Sequence, residues 1–177
     1  MVMEILYLGT ESYIQEYLLN KGNLTVTNKK ITADYISKFD WVISYGYTHL
    51  LKEEHISSAK NPILNLHISY LPWNRGTSPN YWSWKNNTPK GVTIHQIDEG
   101  LDTGPIYLRQ QVYFSENETL SSSYILLKLE IEKLFINNFD KIVQGHIKPT
   151  PQEGGGSYQS KKMLPENIDW SIKVSKI

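Results

Sequence analysis

The sequence predicts an α/β fold: a mostly parallel, Rossmann-like twisted sheet with helices on both faces, an antiparallel hairpin near Asp102 and a long helix near the C-terminus. Three observations predict it. Short apolar runs alternate with segments of helical pattern up to position 67. Two β-branched runs then flank a turn-rich loop. The strongest helical stripe in the chain follows them.

In the first part of the chain, strand-like runs alternate with helical ones. Strands are expected at 5–8, 23–27, 40–45 and 62–66, and helices at 12–20, 31–39 and 52–59. Ser12 and Thr32 are expected as N-caps, and Gly22 as the stop signal of the first helix. The apolar runs at 5–8 and 40–45 are nearly continuous, which is typical of parallel strands covered on both faces.

After residue 67 the pattern changes. A loop at 68–80 leads into a helix ending near 85, for which Ser78 is the expected cap. Strands at 91–97 and 106–114 are expected to pair as an antiparallel hairpin with a long loop. The long helix should begin at Thr119 and end before Gly145. Its expected core stripe is Leu120, Tyr124, Leu127, Ile131 and Leu134.

Composition excludes several classes of protein. The 177 residues suit one domain, and 40% hydrophobic with 20% charged residues is typical of a globular chain. Eighteen basic and eighteen acidic residues argue against a large nucleic-acid footprint. With no cysteine, disulfides, thiolate zinc sites and cysteine nucleophiles are excluded. The first residues lack the pattern of a signal peptide, so we expect a cytoplasmic protein with neither a membrane nor a nucleic-acid partner.

Asn65 and His67 are the first candidates for chemistry. They stand two positions apart at the end of a predicted strand, so their side chains point to the same side. An amide N–H and an imidazole N–H can both donate to a developing oxyanion. Spacing alone favours the other interpretation, a strand-end pair that satisfies nearby backbone groups.

Asp102 lies in the turn-rich loop of the predicted hairpin, just before Thr103-Gly104-Pro105. One interpretation is an Asx-turn that organises the loop. The other is a carboxylate that pairs with His67 and manages protons.

The remaining histidines point less clearly to chemistry. His95 alternates with isoleucines, which predicts a buried, hydrogen-bonded core residue. His49, His55 and His146 are expected on the surface or in loops. No closely spaced ligand set is present, so no metal site is expected. Neither a GxGxxG or Walker loop nor a GxSxG elbow occurs, which argues against nucleotide-cofactor and serine-hydrolase chemistry.

Trp73, Asn74 and Arg75 belong to an unusually aromatic segment next to the predicted catalytic strand. This segment could bind a flat, anionic substrate by stacking and charge. Its aromatic residues could equally form part of the core.

NLHISYLPWNRG at 65–76 and GVTIHQIDEGLDTGPI at 91–106 together resemble the folate-dependent formyltransferases. That superfamily includes methionyl-tRNA, glycinamide ribonucleotide and sugar-nucleotide N-formyltransferases. Its Asn-x-His motif, followed about 35 residues later by Asp-x-Gly, maps onto Asn65, His67 and Asp102. The resemblance covers roughly residues 40–114, with a fainter echo at 149–170.

The resemblance implies N10-formyltetrahydrofolate as the formyl donor, with no metal. Asn65 and His67 would stabilise the tetrahedral oxyanion, and Asp102 would hold His67 and accept, through water, the proton lost by the amine. By position, the pteridine would lie against main-chain groups of two loops. These are His49, Leu50 and Leu51 after the third strand, and Asp98, Glu99 and Gly100 before Asp102.

The segment SYLPWNRGTSPNYWS favours the sugar-nucleotide branch, which implies an amino-deoxysugar nucleotide as acceptor, with Trp73, Asn74 and Arg75 as its candidate contacts. Other amines remain open (glycinamide ribonucleotide, methionyl-tRNA or an amino acid), as does a non-catalytic folate-binding protein. We expect a formyltransferase domain at 1–148 with a shortened N-terminal half, followed by a Gly/Pro-rich tail at 149–177. The C-terminal domain of the methionyl-tRNA enzyme is expected to be absent. A homodimer is compatible with the sequence.

Overall fold

The main structural element is one twisted sheet. The computed structural model describes residues 2–177. Its strands, in chain order, are β1 (Met3–Gly9), β2 (Gly22–Thr27), β3 (Trp41–Tyr45), β4 (Leu64–His67), β5 (Arg75–Gly76), β6 (Gly91–Gln96), β7 (Ile106–Gln111) and β8 (Tyr158–Gln159). Six of them form the sheet β2-β1-β3-β4-β6-β7, and β5 pairs with β8 separately. Strands β1 to β4 are parallel, whereas β6 runs antiparallel to both β4 and β7. The predicted mostly parallel sheet with an antiparallel hairpin is confirmed.

Helices cover both faces of this sheet. They are α1 (Tyr13–Leu19), α2 (Ala33–Ile36), α3 (Glu53–Ser58), α4 (Pro79–Lys85) and α5 (Leu120–Val143). Side chains alternate along β1: Ile5 and Tyr7 pack in the cluster with α1 and α5, and Leu6 and Leu8 pack in the cluster with α2. The strand is therefore buried on both sides, which explains its uninterrupted apolar run.

The long helix α5 begins as predicted. The Thr119 hydroxyl accepts from the Ser122 backbone N–H at 3.1 Å, and the Ser122 hydroxyl accepts from the Thr119 N–H at 2.8 Å. This reciprocal pair satisfies two backbone donors at the start of the helix.

The predicted core stripe of α5 is correct except at one position. Leu120, Leu127 and Ile131 are fully buried, and the stripe continues through Phe135 and Phe139. Leu134 is partly buried against the same core. Tyr124, however, is 45% exposed, so its assignment to the core is wrong. The small neighbouring residue Ser123 faces inward instead, because α4 packs closely there and the Asn80 amide donates to the Ser123 hydroxyl at 3.1 Å.

The C-terminal segment at 149–177 packs on the rest of the domain. Thr150 exchanges two backbone hydrogen bonds with Ile106 at the start of β7, and β8 pairs in parallel with β5. Two 3-10 turns follow, at Lys161–Met163 and Val174–Lys176. The segment that composition marks as a tail therefore contacts both the hairpin and the loop after β4.

Three local predictions need correction. Gly22 does not end the first helix but begins β2, and Asn20 is the C-cap. Ser78 precedes α4 in a left-handed conformation, with φ 54°, and makes no capping hydrogen bond. His55 is buried, because its ring nitrogens lie within hydrogen-bond distance of the Lys52 N–H and the Ile31 carbonyl oxygen. His49 and His146 are exposed, as predicted. Over residues 2–177, no helix is both long and apolar enough to span a bilayer.

Candidate active site

Asn65 and His67 lie at the carboxyl end of β4, where the sheet changes from parallel to antiparallel pairing. In the register of β4 and β6, Asn65 is opposite His95 and His67 is opposite Thr93. Strand alternation sends the Asn65 and His67 side chains to the same side, as predicted. Such a strand end is where α/β sheets commonly place functional groups.

Asp102 reaches this strand end from the loop between β6 and β7. Its backbone is left-handed, with φ 54°, and its Oδ2 accepts the Gly76 backbone N–H at 2.8 Å. Oδ1 lies 3.3 Å from Asn65 Nδ2, and Oδ2 lies 3.7 Å from His67 Nε2. The structure therefore brings the three predicted side chains together. Their catalytic roles stay a prediction.

The Asp102 carboxyl is held in its ionised form. Burial alone raises its pKa, but the His67 charge, the His95 ring and the Gly76 N–H together lower the pKa well below its usual range. A carboxylate of this kind is a weak proton acceptor. The site therefore favours Asp102 as a fixed negative charge that orients and stabilises a protonated neighbour.

His95 joins Asn65, His67 and Asp102, and these four side chains are called the cluster below. It is buried and hydrogen-bonded, as predicted, but sequence reasoning missed that it contacts the predicted catalytic residues. Its Nε2 lies 3.1 Å from Asn65 Nδ2 and 3.6 Å from Asp102 Oδ1. The signal that could have found it is the β4–β6 register, which places His95 directly across from Asn65.

The Asn65 amide is oriented by these two neighbours. His95 Nδ1 lies 2.7 Å from the Gln96 carbonyl oxygen, which can only accept, so Nδ1 carries a proton. A neutral His95 then accepts one Asn65 N–H at Nε2, and Asp102 accepts the other. At 3.1 and 3.3 Å both bonds are at the long end of the usual range. One of them must be exchanged before Asn65 can donate to an oxyanion.

His67 is also held in a defined protonation pattern. Its Nε2 lies 3.2 Å from the Asn74 carbonyl oxygen and 3.7 Å from Asp102 Oδ2, both of which accept hydrogen bonds. Nε2 therefore carries a proton. In the neutral ring, Nδ1 can only accept, and only the imidazolium can donate there.

Gln152, from the C-terminal segment, supports the loop that carries Asp102. Its side-chain N–H groups donate to the carbonyl oxygens of Asp102 and Gly104 at 2.8 and 2.9 Å. Its side-chain oxygen accepts from Arg75 Nε and Nη2 at 3.2 and 2.8 Å. One amide thus links the loop after β4, the Asp102 loop and the C-terminal segment.

Two cavities meet at the cluster. The loop cavity, of about 200 Å³, lies between the loop after β3 and the Asp102 loop. Five of the six residues predicted to surround the pteridine line it: His49, Leu50, Leu51, Asp98 and Gly100. Glu99 does not line it. The Asp98 carboxylate accepts from the Gly100 N–H and the Thr103 hydroxyl, so its side chain organises the turn.

The second cavity, named here the α5 cavity, measures about 600 Å³ and extends from His67 to Tyr124, Lys128 and Lys161. Asn65 and Asp102 line both cavities. A third hollow of about 670 Å³ between α1 and α5 contains none of the predicted site residues. Across residues 2–177 no group of three or more histidine, aspartate and glutamate side chains is arranged to hold a metal ion.

Trp73, Asn74 and Arg75 do not line either cavity. The Asn74 side chain is fully buried and bonded to Thr88 and Ser157, so it supports the loop and offers a ligand no surface. The Arg75 guanidinium is engaged by Gln152. Trp73 is 36% exposed, and its predicted contact with substrate stays a prediction.

Comparison with known proteins identifies the family. The model of the formyl transferase family matches residues 20–137. Methionyl-tRNA formyltransferase of Thermodesulfovibrio yellowstonii is 34% identical over 142 residues, 79% of this chain and 46% of that protein. The chain spans about half the length of the curated relatives it matches.

Solved structures agree with this result. The formyltransferase PseJ from Anoxybacillus kamchatkensis, in complex with UDP-4,6-dideoxy-4-formamido-L-AltNAc and tetrahydrofolate, is 39% identical, with a TM-score of 0.89 over 97% of this chain and 96% of that one. An N-formyltransferase from Helicobacter canadensis shares the fold, with a TM-score of 0.80 at 19% identity over 94% of this chain and 74% of that one.

Fold and matches together define the class of protein as the folate-dependent formyltransferase superfamily. The chain belongs to the formyl transferase family. The resemblance inferred from the motifs at 65–76 and 91–106 is thereby confirmed.

Proposed function

We propose that the protein transfers a formyl group from N10-formyltetrahydrofolate to the amine of a nucleotide-linked amino-deoxysugar. One observation carries the proposal: two cavities of different size, about 200 and about 600 Å³, share Asn65 and Asp102. A group transfer needs two substrates whose reacting atoms meet at one set of catalytic side chains. The position where the cavities join provides such a meeting point.

The loop cavity suits the donor. Its volume of about 200 Å³ lies below the roughly 300–1,000 Å³ of a pocket for a whole drug-sized ligand. It is therefore the size of one flat ring system, with the rest of the folate outside. Peptide groups of the two loops can read the edge of the pteridine, and Leu50 and Leu51 offer apolar contact.

The residues of the cluster can support each stage of the transfer. As the amine nitrogen bonds to the formyl carbon, negative charge develops on the formyl oxygen. Asn65, after exchanging one of its N–H bonds, and protonated His67 donate to that oxygen. Asp102, 3.7 Å from His67 Nε2, holds the imidazole ring in place throughout. The amine gives up one proton to water, and water delivers one to N10 as the bond from carbon to N10 breaks, so the formamide and tetrahydrofolate are released.

The choice of acceptor rests on size and on the relatives. The α5 cavity, at about 600 Å³, is open to solvent and large enough for a sugar with substituents. PseJ, which is similar over nearly its whole length, was crystallised with a UDP-linked formamido sugar and tetrahydrofolate. Methionyl-tRNA is the second candidate, because the similar curated relatives are methionyl-tRNA formyltransferases.

The test is to incubate the protein with N10-formyltetrahydrofolate and a panel of amines: UDP- and dTDP-linked 3-amino and 4-amino sugars, glycinamide ribonucleotide and methionyl-tRNA. Mass spectrometry should show formylation of one sugar nucleotide. His67→Ala should lower kcat by about a hundredfold or more, because one oxyanion donor is lost. His146→Ala, at an exposed position outside both cavities, is the matched control.

If methionyl-tRNA alone is formylated, the acceptor is methionyl-tRNA and the proposed sugar nucleotide is wrong. Folate binding in calorimetry without turnover on any amine would indicate a non-catalytic binding protein. Release of formate in the absence of an amine would indicate hydrolysis by the same cluster.

A further inference from the structure

Ser44, near the carboxyl end of β3, is an exception in its strand. The other residues of β3 are aromatic or aliphatic, and the whole strand is buried. Ser44 is 4% exposed, and its hydroxyl makes no hydrogen bond to any group in residues 2–177. A buried hydroxyl costs free energy unless it is hydrogen-bonded. Ser44 lines the loop cavity together with Asn65, His95 and Asp102, so its natural partner lies on the cavity side.

The register of the sheet places Ser44 beside the cluster. Ser44 is the partner of Asn65 in the pairing of β3 with β4, and Asn65 is the partner of His95 in the pairing of β4 with β6. Partners on adjacent strands point to the same face, and neighbouring strands lie about 4.8 Å apart. These three polar side chains therefore form one row across the sheet. On the other side of Ser44 the row continues with Leu8 of β1, which is fully buried and apolar.

The Asn65 amide is held through its nitrogen alone. Both N–H groups of Nδ2 are bonded, to His95 Nε2 at 3.1 Å and to Asp102 Oδ1 at 3.3 Å. Among the described residues, no donor reaches the amide oxygen, Oδ1. One N–H must leave its partner to reach an oxyanion, and the terminal torsion of asparagine is broad, so the amide can then turn over. A turned amide would present its oxygen to the negative charge and repel it.

We propose that Ser44 is a positioning residue that keeps Asn65 in its donating orientation. The Ser44 hydroxyl and Asn65 Oδ1 hold one water molecule between them at the floor of the loop cavity. No direct hydrogen bond joins these two oxygens, whereas one water can bridge polar groups on adjacent strands. The hydroxyl donates to the water and the water donates to Oδ1, so the nitrogen of the amide stays turned toward the cluster.

The other hydroxyl side chains that line the loop cavity are less suited to this task. The Tyr47 hydroxyl donates to the Lys29 carbonyl oxygen at 2.8 Å, and Thr48 is exposed to solvent. Ser44 is buried and lies directly across from Asn65. The inference rests on the proposed formyl transfer, because it assigns Asn65 to the oxyanion, but it does not depend on which amine accepts the group.

The kinetic experiment compares two substitutions of equal shape in the full chain. Ser44→Thr keeps a hydroxyl and Ser44→Val does not, so both impose the same change in packing. With N10-formyltetrahydrofolate and the amine that the panel identifies, kcat of Ser44→Val should be about tenfold below that of Ser44→Thr, which corresponds to about 1.4 kcal/mol. Ser44→Ala, which adds no atoms to the buried site, should show the same loss. The KM for both substrates should not change, because the interaction is needed only in the transition state.

A double-mutant cycle tests whether Ser44 acts through Asn65. In the Asn65→Ala background the amide is absent, so Ser44→Ala should cause no further fall in the single-turnover rate. A role in packing alone would lower the rate by the same factor in both backgrounds. A crystal structure with tetrahydrofolate gives a readout that needs no turnover. It should show a water within hydrogen-bond distance of Ser44 Oγ and Asn65 Oδ1, and this water should be lost in Ser44→Ala.

The outcomes separate this inference from the proposed function. If an amine is formylated but Ser44→Val and Ser44→Ala keep the kcat of Ser44→Thr, or their effects add to that of Asn65→Ala, the inference is wrong and the proposed function stands. A crystal structure without the water also overturns the inference. If no amine is formylated while the crystal structure shows the water, the proposed function fails and the contact that orients Asn65 stands.

Discussion

The two halves of the sheet hold their functional side chains by different means. In the parallel half, the end of β4 and the alternation of side chains along a strand send Asn65 and His67 to the same side, and long-range contacts only orient their polar groups. In the antiparallel half, Asp102 sits in a loop with φ 54° and is anchored by Gly76 and by Gln152, which is 50 residues away in sequence. The backbone positions of the predicted oxyanion donors thus follow local rules, whereas the carboxylate is placed by long-range contacts.

This comparison predicts that the carboxylate can be displaced without touching any of the three catalytic candidates. Gln152→Ala removes the bonds to the Asp102 and Gly104 carbonyl oxygens and frees Arg75. We expect kcat to fall by about tenfold to a hundredfold, because a shift of about 1 Å in a catalytic group has effects of this size. The KM for the folate donor should change little.

The conservative substitution Gln152→Glu tests whether Gln152 acts by positioning Asp102 through its hydrogen bonds or only by filling space. Glutamate keeps an acceptor for Arg75 but cannot donate to the two carbonyl oxygens at neutral pH, so kcat should be as low as in Gln152→Ala. Gln111→Ala, at an exposed position at the end of β7, is the control. A fall in Tm with kcat unchanged would show that Gln152 is structural only, and the contrast between the two halves would be lost.

A smaller effect concerns the charge on Asp102 and is measured as stability. Because His67, His95 and the Gly76 N–H lower the pKa of the folded carboxyl, the ionised form stabilises the native state. This contribution is fully present above the pKa of an unfolded aspartate, about 3.9, and is lost as the pH falls through the lower folded pKa.

We expect Asp102→Asn to lower the free energy of unfolding by about 1.5 kcal/mol at pH 7, the scale of one hydrogen bond to a charged group. Urea unfolding of both proteins between pH 7 and pH 3 should show the difference shrinking below about pH 4. A difference that grows as the pH falls would mean that the carboxyl is protonated in the native protein.

The same contrast explains what the sequence could and could not predict. The alternation of strands and helices along the chain, the helix caps at Ser12, Thr32 and Thr119, and the common orientation of Asn65 and His67 follow from patterns within a few residues. The role of Gln152 depends on where residues 149–160 fold back, which composition cannot reveal. His95 was read as core because burial and alternation dominate the local pattern, and only the β4–β6 register shows its contact with Asn65. The prediction that Tyr124 is buried is wrong for a similar reason, because the packing of α4 against α5 is a long-range contact that the local pattern does not show.

The smallest predicted effect tests whether a locally determined feature can be altered without disturbing the site. Thr119→Ala removes the hydroxyl that accepts from the Ser122 N–H at the start of α5, so the free energy of unfolding should fall by about 1 kcal/mol in urea titrations. Thr119→Ser keeps the oxygen and should restore most of the loss. Because no contact of Thr119 reaches Asn65, His67 or Asp102, kcat should stay at the wild-type value at a temperature where the variant is folded. A fall in kcat without a loss of stability would mean that the start of α5 is coupled to the cluster, and that even capping is not a purely local matter in this domain.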